Sequence, residues 1–391
     1  MKFKLIQLAL WLCLGAATAS AQTPVPPPGM PMPAAPQLGA TSYLLMDYNS
    51  GKIVVEHEAD APVEPASITK IMTSYVVFQE LASGNVALDD VVTISENAWR
   101  AIGSRMFLEP GMEVTIEELI KGLVIQSGND ASVALAEYLA GTEAAFAGVM
   151  NHNAQLLGMS NTYFMNATGL PDENHYTTAR DVALLSIALI RDFPDYYRWY
   201  AEKEFTFNNI RQHNRNNLLW RDPAVDGLKT GHTEAAGYCL AASAKREGMR
   251  LVSVVMGSSS EQSRVSESQS LLNYGFRFFE TVQLYEAGQV LATGRVWKGE
   301  AEEVSMGLAE DLFITIPRGR YDDLQASLEV RPRLLAPLDA GQQVGRIRIE
   351  LGDELVASRD LVTLGSVTPS GFFSRAMDGM RLWFGGLFGD E

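Results

Sequence analysis

Three short peptides of this chain carry side chains that together form a set for acyl transfer. They are Ser67-Ile68-Thr69-Lys70, Ser127-Gly128-Asn129 and Lys229-Thr230-Gly231. In this order they provide a hydroxyl nucleophile, an amine base, a second hydroxyl able to pass a proton, and a cation able to hold an anionic chain end. The set contains no histidine, so it indicates a serine enzyme whose base is lysine. Each peptide alone is common, and it is the combination that favours catalysis.

The first peptide has the spacing of a nucleophile and its base on one helix. Pro65 precedes it and an apolar helical pattern follows, so Ser67 is predicted in the first turn, within the positive field of the helix N-terminus. A spacing of three places Lys70 on the same face. Lysine activates a hydroxyl only when burial or a second cation, here Lys229, lowers its pKa. The alternative is an N-cap serine followed by a surface lysine.

The second peptide separates two apolar helical patterns. One pattern ends near residue 125 and the next begins near Ala131, so Ser127 and Asn129 are predicted on a short link between helices. From one side of such a link, a hydroxyl can pass a proton to a leaving amine and an amide can hold a substrate amide. The alternative is a helix C-cap followed by a new N-cap at Asn129 or Asp130.

The third peptide precedes two runs typical of paired strands, residues 238–244 and 251–257, which are joined by a turn at 246–248. Because Gly231 has no side chain, a ligand backbone can lie against the edge of this strand. Lys229 and Thr230 would then bind the anionic end of that ligand. The alternative is a surface turn.

The three peptides resemble the S-x-x-K, S-D-N and K-T-G motifs of the penicillin-recognising enzymes, with Gly128 in place of the aspartate. The chain is most similar to the serine-type D-alanyl-D-alanine carboxypeptidases, which are low-molecular-mass penicillin-binding proteins. Within them it resembles the class with a β-rich second domain and a C-terminal membrane helix. The resemblance runs from about Thr41 to the end and includes residues 104–107, 214–220, 273–280 and 316–320.

The resemblance implies a role for each residue of the catalytic set. Ser67 would be the acylated nucleophile. Lys70 would be its general base and would later activate the hydrolytic water. Ser127 would relay a proton to the departing D-alanine, with electrostatic support from Lys229, and Asn129 would orient the peptide.

It also implies how the substrate is held. Thr230 and Arg264 would bind its terminal carboxylate. The backbone N–H groups of the nucleophile and of His232, which follows Gly231, would form the oxyanion hole. Arg215 would shape the same cleft. From the sequence alone, Arg264 is expected in a polar loop that follows a strand.

The implied reaction removes the terminal D-alanine from peptidoglycan stem pentapeptides, and β-lactam antibiotics would acylate the same serine. Other enzyme hypotheses are a DD-endopeptidase or transpeptidase, and a β-lactamase that uses a loop carboxylate such as Asp172 or Glu173 for deacylation. A hypothesis of another class is a non-catalytic scaffold that binds peptidoglycan.

Composition narrows the range of partners. The 391 residues suffice for two domains with sizeable cores. A net charge of −16 without a basic stripe argues against nucleic-acid binding. The five histidines are scattered, and the chain has no H-E-x-x-H motif, Walker loop or cysteine cluster. We therefore expect neither a metal nor another cofactor.

The N-terminus is typical of a secretory signal. Lys2 and Lys4 precede a short apolar stretch, and Ala19-Ser20-Ala21 resembles a cleavage site, so residues 1–21 are predicted to be a signal peptide. Cys239 would then be the only cysteine of the mature chain. Residues 22–40 are rich in proline and are predicted to be a disordered linker. The expected location is the periplasm, at the outer face of the inner membrane.

The remaining patterns predict three further segments. Residues 41–282 fit an α/β or α+β catalytic domain of the penicillin-binding and β-lactamase type, with an antiparallel sheet covered by helices. Residues 283–366 fit a small all-β domain. Residues 370–391 have apolar positions at helical spacing, so they are predicted to lie along a membrane surface as an amphipathic helix. The alternative is a helix packed on the β domain.

Overall fold

A computed structural model of the chain describes residues 32–388, with the backbone alone described after Met380. The predicted signal peptide 1–21 and residues 22–31 of the linker lie outside the described residues. The described end of that linker is packed against the protein: Tyr274 donates a hydrogen bond to Pro33 O at 3.0 Å, and Gly39 N donates to Glu267 at 3.1 Å. The prediction of disorder is wrong for these residues, because Ala35 and Leu38 join an apolar core.

The strands within the described residues are β1 (Ser42–Asp47), β2 (Ile53–His57), β3 (Val91–Thr93), β4 (Glu113–Thr115), β5 (Glu204–Phe207), β6 (Ile210–His213), β7 (Val225–Thr233), β8 (Gly237–Arg246), β9 (Met249–Ser258), β10 (Phe279–Tyr285), β11 (Ala292–Trp297), β12 (Glu303–Gly307), β13 (Leu312–Pro317), β14 (Leu324–Val330), β15 (Leu334–Leu335), β16 (Gln343–Leu351) and β17 (Glu354–Thr363).

The α-helices are α1 (Lys70–Ala82), α2 (Glu96–Arg100), α3 (Ile116–Lys121), α4 (Asn129–Ala140), α5 (Glu143–Leu156), α6 (Ala179–Asp192), α7 (Pro194–Tyr197), α8 (Leu218–Arg221), α9 (Glu261–Phe278) and α10 (Phe372–Phe388). Short 3₁₀ turns occur at Ala66–Thr69, Arg198–Ala201 and Tyr321–Asp323, and a π-helical turn occurs at Gly122–Gln126.

The catalytic domain is built on a five-stranded antiparallel sheet with the order β2-β1-β9-β8-β7. Both faces of the sheet are buried, because neighbouring residues of a strand enter different cores. Leu44 and Met46 of β1 belong to a core shared with α1 and α6, whereas Tyr43 and Leu45 belong to a core shared with α9. The predicted antiparallel sheet covered by helices is confirmed.

Helices α1 to α8 lie between β2 and β7 in the chain. A turn containing Asn49, Ser50 and Gly51 joins β1 to β2. The short antiparallel hairpin of β3 and β4 lies between helices α1 and α3 and was not predicted. Its strands have three residues each, which is too short for a period of two to be visible in the sequence.

The C-terminal part is the predicted all-β domain. It contains a six-stranded sheet, β14-β16-β17-β12-β11-β15, and the pair β10–β13. β10 runs across the predicted boundary at residue 282, and its Thr281 takes part in a ring of hydrogen bonds with the catalytic domain. Asp47 accepts from Ser50 Oγ at 2.8 Å and from Thr281 at 2.7 Å, and Thr315 lies 2.6 and 2.8 Å from Ser50 and Thr281.

The last described element, α10, is helical where amphipathic spacing predicts a helix. Its Asp378 accepts a hydrogen bond at 2.8 Å from the backbone of Lys298 in the β domain. At its start, Phe372 and Phe373 are 74% and 88% exposed. Across residues 32–388, no single helix has the length and apolar character to cross a bilayer, although the bent pair α4–α5 meets both criteria when the two helices are combined.

Candidate active site

The predicted nucleophile and base lie in contact at the start of α1. Ser67 belongs to the 3₁₀ turn Ala66–Thr69, and Lys70 is the first residue of the α-helix that follows. Side chains three residues apart eclipse each other in a 3₁₀ turn, and Lys70 Nζ accordingly lies 2.9 Å from Ser67 Oγ. The turn begins at Ala66 with a positive φ of 48°, a conformation that is rare for residues with a side chain and is found at functional sites.

Three oxygen atoms hold the Lys70 amine in place. Besides Ser67 Oγ, they are Asn129 Oδ1 at 2.7 Å and the carbonyl of Thr168 at 2.5 Å. The Lys70 side chain is fully buried. The amine is therefore oriented by Asn129 and Thr168 toward the serine hydroxyl and shielded from bulk water.

Burial lowers the pKa of Lys70 to about 7, because a charged amine loses its hydration there. The carboxylates of Asp130 and Glu143 act in the opposite direction and limit the fall. A lysine with this pKa is largely an uncharged base at slightly alkaline pH. The amine is thus able to take the serine proton.

A second pair of lysine and serine faces the first. Ser127 is in the left-handed conformation, with φ 68°, directly after the π-helical turn Gly122–Gln126. π-helical turns and left-handed residues cost free energy and persist only where the surrounding structure enforces them. They are concentrated at functional sites. Lys229 Nζ donates a hydrogen bond to Ser127 Oγ at 2.8 Å and another to Thr230 O at 3.0 Å.

The electrostatic setting of Lys229 differs from that of Lys70. Its side chain is buried on β7, and burial lowers the pKa of Lys229 well below the ordinary value. The neighbouring cations of Lys70, Arg264 and Arg215 lower that pKa further. The sequence predicts that burial or Lys229 lowers the pKa of Lys70. Burial is the cause that lowers it, and the effect of one lysine on the other falls on the pKa of Lys229.

The departure of the second motif from the family pattern has a steric reason here. A Cβ on Gly128 would lie 2.8 Å from Asp130 Oδ1 and 3.2 Å from Met106 N. The buried Asp130 carboxylate accepts hydrogen bonds from the backbone N–H groups of Met106, Phe107 and Leu108 at 3.0, 3.0 and 3.2 Å. Asp130 thereby fixes the segment 106–108 against the start of α4.

The third motif brings β7 against the nucleophile turn. A Cβ on Gly231 would lie 3.1 Å from Ile68 Cγ1 and 3.2 Å from the Ala66 Cβ, so the absence of a side chain permits the close approach. Gly169 makes a similar approach from the opposite side: a Cβ there would lie 1.8 Å from Ala66 O. The turn that carries Ser67 is therefore clamped between a strand and a loop.

Arg264 lies in the site, but the prediction that it belongs to a loop is wrong. It is in the first turn of α9, whose N-cap Ser260 accepts a hydrogen bond from Ser263 N at 3.0 Å. Several serines in the sequence suggested a loop, yet serine is also a preferred N-cap residue. Arg264 is buried, and its guanidinium donates to Gly231 O at 3.3 Å and to Glu261 at 2.8 Å.

These elements surround a cleft of about 330 Å³. Most of the residues predicted for the site line it: Ser67, Ser127, Asn129, Arg215, Thr230, Gly231, His232 and Arg264. Lys70 and Lys229 lie beneath the cleft, where they contact the two serines. His232 is exposed, and its ring packs against Tyr238 with the centroids 4.1 Å apart.

Other residues of the cleft were not predicted: Gly103, Ser104, Thr168, Gly169, Leu170, Thr233, Tyr238 and Glu261. Thr168 acts through its carbonyl, which no side-chain motif reveals. Glu261 and Tyr238 come close to the site because of tertiary structure. Asp130 directly follows the second motif in the chain, and this adjacency was the sequence feature from which its role near the site could have been inferred.

The loop that might carry a deacylating carboxylate does not place one in the cleft. Asp172 and Glu173 are exposed and do not line it. The buried member of this loop is His175, whose Nε2 lies 3.1 Å from Thr69 Oγ1. Burial lowers the pKa of His175 to about 4, so the ring is neutral at physiological pH. The part of the β-lactamase hypothesis that depends on Asp172 or Glu173 is wrong.

Within residues 32–388, no group of three or more His, Cys, Asp or Glu side chains is arranged to hold a metal ion. The chemistry available in the cleft is that of two serine hydroxyls, each hydrogen-bonded to the amine of a buried lysine. On an antiparallel sheet covered by helices, this defines a serine acyl-transfer enzyme of the penicillin-binding type.

Comparison with known sequences and structures agrees with this class. Residues 30–260 match the D-alanyl-D-alanine carboxypeptidase family, and residues 279–369 match the C-terminal domain of penicillin-binding protein 5. The chain belongs to the D-alanyl-D-alanine carboxypeptidase family and is a serine-type enzyme with that activity.

Three relatives illustrate the similarity. D-alanyl-D-alanine carboxypeptidase DacA of Escherichia coli is 47% identical over 367 residues, which cover 92% of this chain and 91% of DacA. The crystal structure of penicillin-binding protein 5 from Haemophilus influenzae is 44% identical and superposes with a TM-score of 0.84, covering 86% of this chain and 99% of that one. Penicillin-binding protein D2 from Listeria monocytogenes, in an ampicillin-bound form, is 28% identical, with a TM-score of 0.58 over 62% of this chain and 100% of that one.

Proposed function

We propose that the protein removes the terminal D-alanine from the pentapeptide stems of peptidoglycan through an acyl-enzyme on Ser67. The observation that carries this proposal is the 2.9 Å contact between Ser67 Oγ and the buried amine of Lys70. A hydroxyl needs an adjacent base to become a nucleophile, and this amine has a pKa lowered by burial to about 7, so a large fraction of it is uncharged near neutral pH.

In the acylation step, Ser67 Oγ attacks the carbonyl carbon of the penultimate D-alanine and Lys70 takes the hydroxyl proton. The backbone N–H groups of Ser67 and His232 stabilise the oxyanion. The peptide bond then breaks, and Ser127 Oγ donates a proton to the departing amine. Lys229, whose Nζ donates a hydrogen bond to Ser127 Oγ at 2.8 Å, supports this proton transfer electrostatically. The proton that Lys70 took from Ser67 passes to Ser127, so the Ser127 hydroxyl is restored and Lys70 is again an uncharged base.

In the deacylation step, a water molecule attacks the ester carbonyl while Lys70 accepts its proton. The ester bond breaks, Ser67 regains its proton, and the tetrapeptide leaves. Asn129 helps by holding Lys70 through Oδ1 at 2.7 Å, while its Nδ2 donates to Ile102 O at 2.5 Å. Both ends of this amide are thus hydrogen-bonded within the protein, so Asn129 is a positioning group for the base.

The terminal carboxylate of the substrate would be bound by Thr230 and Arg264, with Arg215 at the edge of the same cleft. β-Lactams carry a carboxylate and a strained amide, so they would enter in the same orientation and acylate Ser67. The ampicillin-bound form of the Listeria relative supports this proposal.

We place the enzyme in the periplasm, on the outer face of the inner membrane. The signal-like residues 1–21 support export. The spacing of apolar residues in 370–391 and the exposed Phe372 and Phe373 support attachment through α10 lying along the membrane surface.

The test uses the purified mature chain, a peptide ending in D-Ala-D-Ala, and a labelled penicillin. We expect release of one D-alanine per peptide and a long-lived penicillin adduct on Ser67, and we expect Ser67→Ala to abolish both. Rapid turnover of the penicillin would indicate a β-lactamase, and a product that incorporates an added amine would indicate a transpeptidase. Cleavage of cross-linked dimers in preference to the pentapeptide would indicate an endopeptidase. Binding of the peptide without any release would favour a scaffold.

A further inference from the structure

The mouth of the cleft holds a carboxylate that the proposed mechanism does not use. Glu261 is the first residue of α9, and Arg264 follows it one turn later. Glu261 Oε1 lies 2.8 Å from Arg264 Nη2. The Glu261 side chain is 54% exposed, whereas that of Arg264 is 5% exposed. The carboxylate therefore has room to swing into solvent, while the guanidinium is held in place.

The guanidinium of Arg264 has fixed partners on its inner side. Nη1 donates to Gly231 O at 3.3 Å, and the group lies over the ring of Tyr238 at 5.6 Å from the centroid. Its Nε is buried and has no hydrogen-bond partner among the described residues. The exchangeable contact of this cation is the one that Glu261 makes on the cleft side.

We propose that Glu261 is a specificity-determining residue that competes with the terminal carboxylate of the substrate for Arg264. This inference rests on the proposed function, in which Arg264 binds that carboxylate. Two carboxylates beside one guanidinium repel each other, so the incoming chain end must displace Glu261 or bind against its charge. Glu261 thus weakens the binding of substrates that end in a carboxylate, and it narrows their advantage over substrates with a neutral end.

The expected size of the effect follows from the exposure of the pair. An ion pair with one exposed partner is worth little in water, so its loss should change the KM about three- to fivefold. The effect should fall on the KM rather than on the kcat, because Glu261 makes no contact with Ser67 or Lys70.

The test compares the full mature enzyme with its Glu261→Gln form, which keeps the size of the side chain and removes its charge. Two peptides are used, one ending in D-Ala-D-Ala and one ending in D-Ala-D-Ala amide. We expect the KM of the acid to fall about three- to fivefold in the variant, with an unchanged kcat and an unchanged KM for the amide. Glu234→Gln is the matched control, since it removes the same charge from an exposed residue outside the cleft and should change neither KM.

Two results would overturn the inference. One is an acid-to-amide KM ratio in Glu261→Gln equal to that in Glu234→Gln. The other is an equal loss of kcat for both peptides together with a lower melting temperature, which would make Glu261 a helix-capping residue only. Calorimetric binding of both peptides to the same variants on a Ser67→Ala background measures the competition without turnover. A failure of the proposed reaction is thereby distinguished from a failure of this inference.

Discussion

The amine of Lys70 sets the pH dependence of acylation. Its uncharged form is the base, and burial lowers the pKa of Lys70 to about 7. Below that pH the amine is protonated, so kcat/KM should fall about tenfold for each pH unit; above it, kcat/KM should level off. The measurement is the rate of acylation by a labelled penicillin, and of D-alanine release, between pH 5 and 9.

A rate that still rises about tenfold per pH unit up to pH 9, without levelling off, would contradict this expectation, since it would indicate the titration of an ordinary lysine. Lys70→Arg is the informative control. It keeps a cation beside Ser67, but guanidinium does not lose its proton in this range. We expect no acylation by that form at any pH tested.

At the scale of residues, side-chain motifs in the sequence indicate the reactive groups, but they do not reveal every group that orients them. Ser67, Lys70, Ser127 and Lys229 belong to motifs whose chemistry can be inferred from residue type and spacing. Thr168 is different, because its carbonyl orients Lys70 at 2.5 Å and any residue there has a carbonyl. Only the folded loop reveals such a role.

At the scale of elements, the close approach of the loop at Gly169 to the nucleophile turn is open to test. Gly169 has a φ of +84°, and a Cβ there would lie 1.8 Å from Ala66 O. Gly169→Ala should therefore displace the turn that carries Ser67. We expect the free energy of unfolding to fall by roughly 3 kcal/mol or more and the rate of acylation by labelled penicillin to fall at least tenfold.

Gly158→Ala is the matched control for this prediction. Gly158 has a similar φ of +75°, but nothing lies within 4 Å of the position of its Cβ. The substitution carries the same backbone strain without the clash, at a cost of about 1 kcal/mol. Chemical denaturation and the acylation rate, measured for both variants, separate the effect of backbone strain from the effect of the steric clash. Equal effects of the two substitutions would mean that the contact with Ala66 does not position the nucleophile.

Elements with a clear period were predictable, whereas those defined by a few local contacts were not. The strands β8 and β9 and the helix α4 follow runs of apolar residues in the sequence. The start of α9 depends instead on the single N-cap Ser260, in a stretch of serines that resembles a loop. Its helical state is what buries Arg264 in the cleft, so the error in the element concealed the environment of the residue.

At the scale of the whole molecule, the junction between the domains contains a ring of hydrogen-bonded polar side chains. Asp47 and Ser50 of the catalytic domain form a ring of hydrogen bonds with Thr281 and Thr315 of the β domain. Asp47 is fully buried. Its Oδ1 also accepts from the backbone N–H groups of Asn49 and Ser50 at 3.0 and 2.7 Å, and Thr281 is the donor to its Oδ2. The sequence predicted two domains but not this ring, because the hydrogen bonds that cross between the domains join residues more than 200 positions apart.

The last prediction concerns α10 and the site together. Deleting residues 370–391 should release a soluble enzyme that no longer binds vesicles. Its kcat/KM for a soluble D-Ala-D-Ala peptide should stay within about twofold of that of the full chain, because the described residues that line the cleft all lie between Ser67 and Arg264. Since the net charge is −16, binding of the full chain should depend on apolar contacts and gain little from anionic lipid. Replacing Phe372 and Phe373 by serine should weaken vesicle binding while leaving the helix present. Flotation with neutral and anionic vesicles measures the binding. A truncated form that loses turnover, or that still floats with the vesicles, would contradict the role assigned to α10.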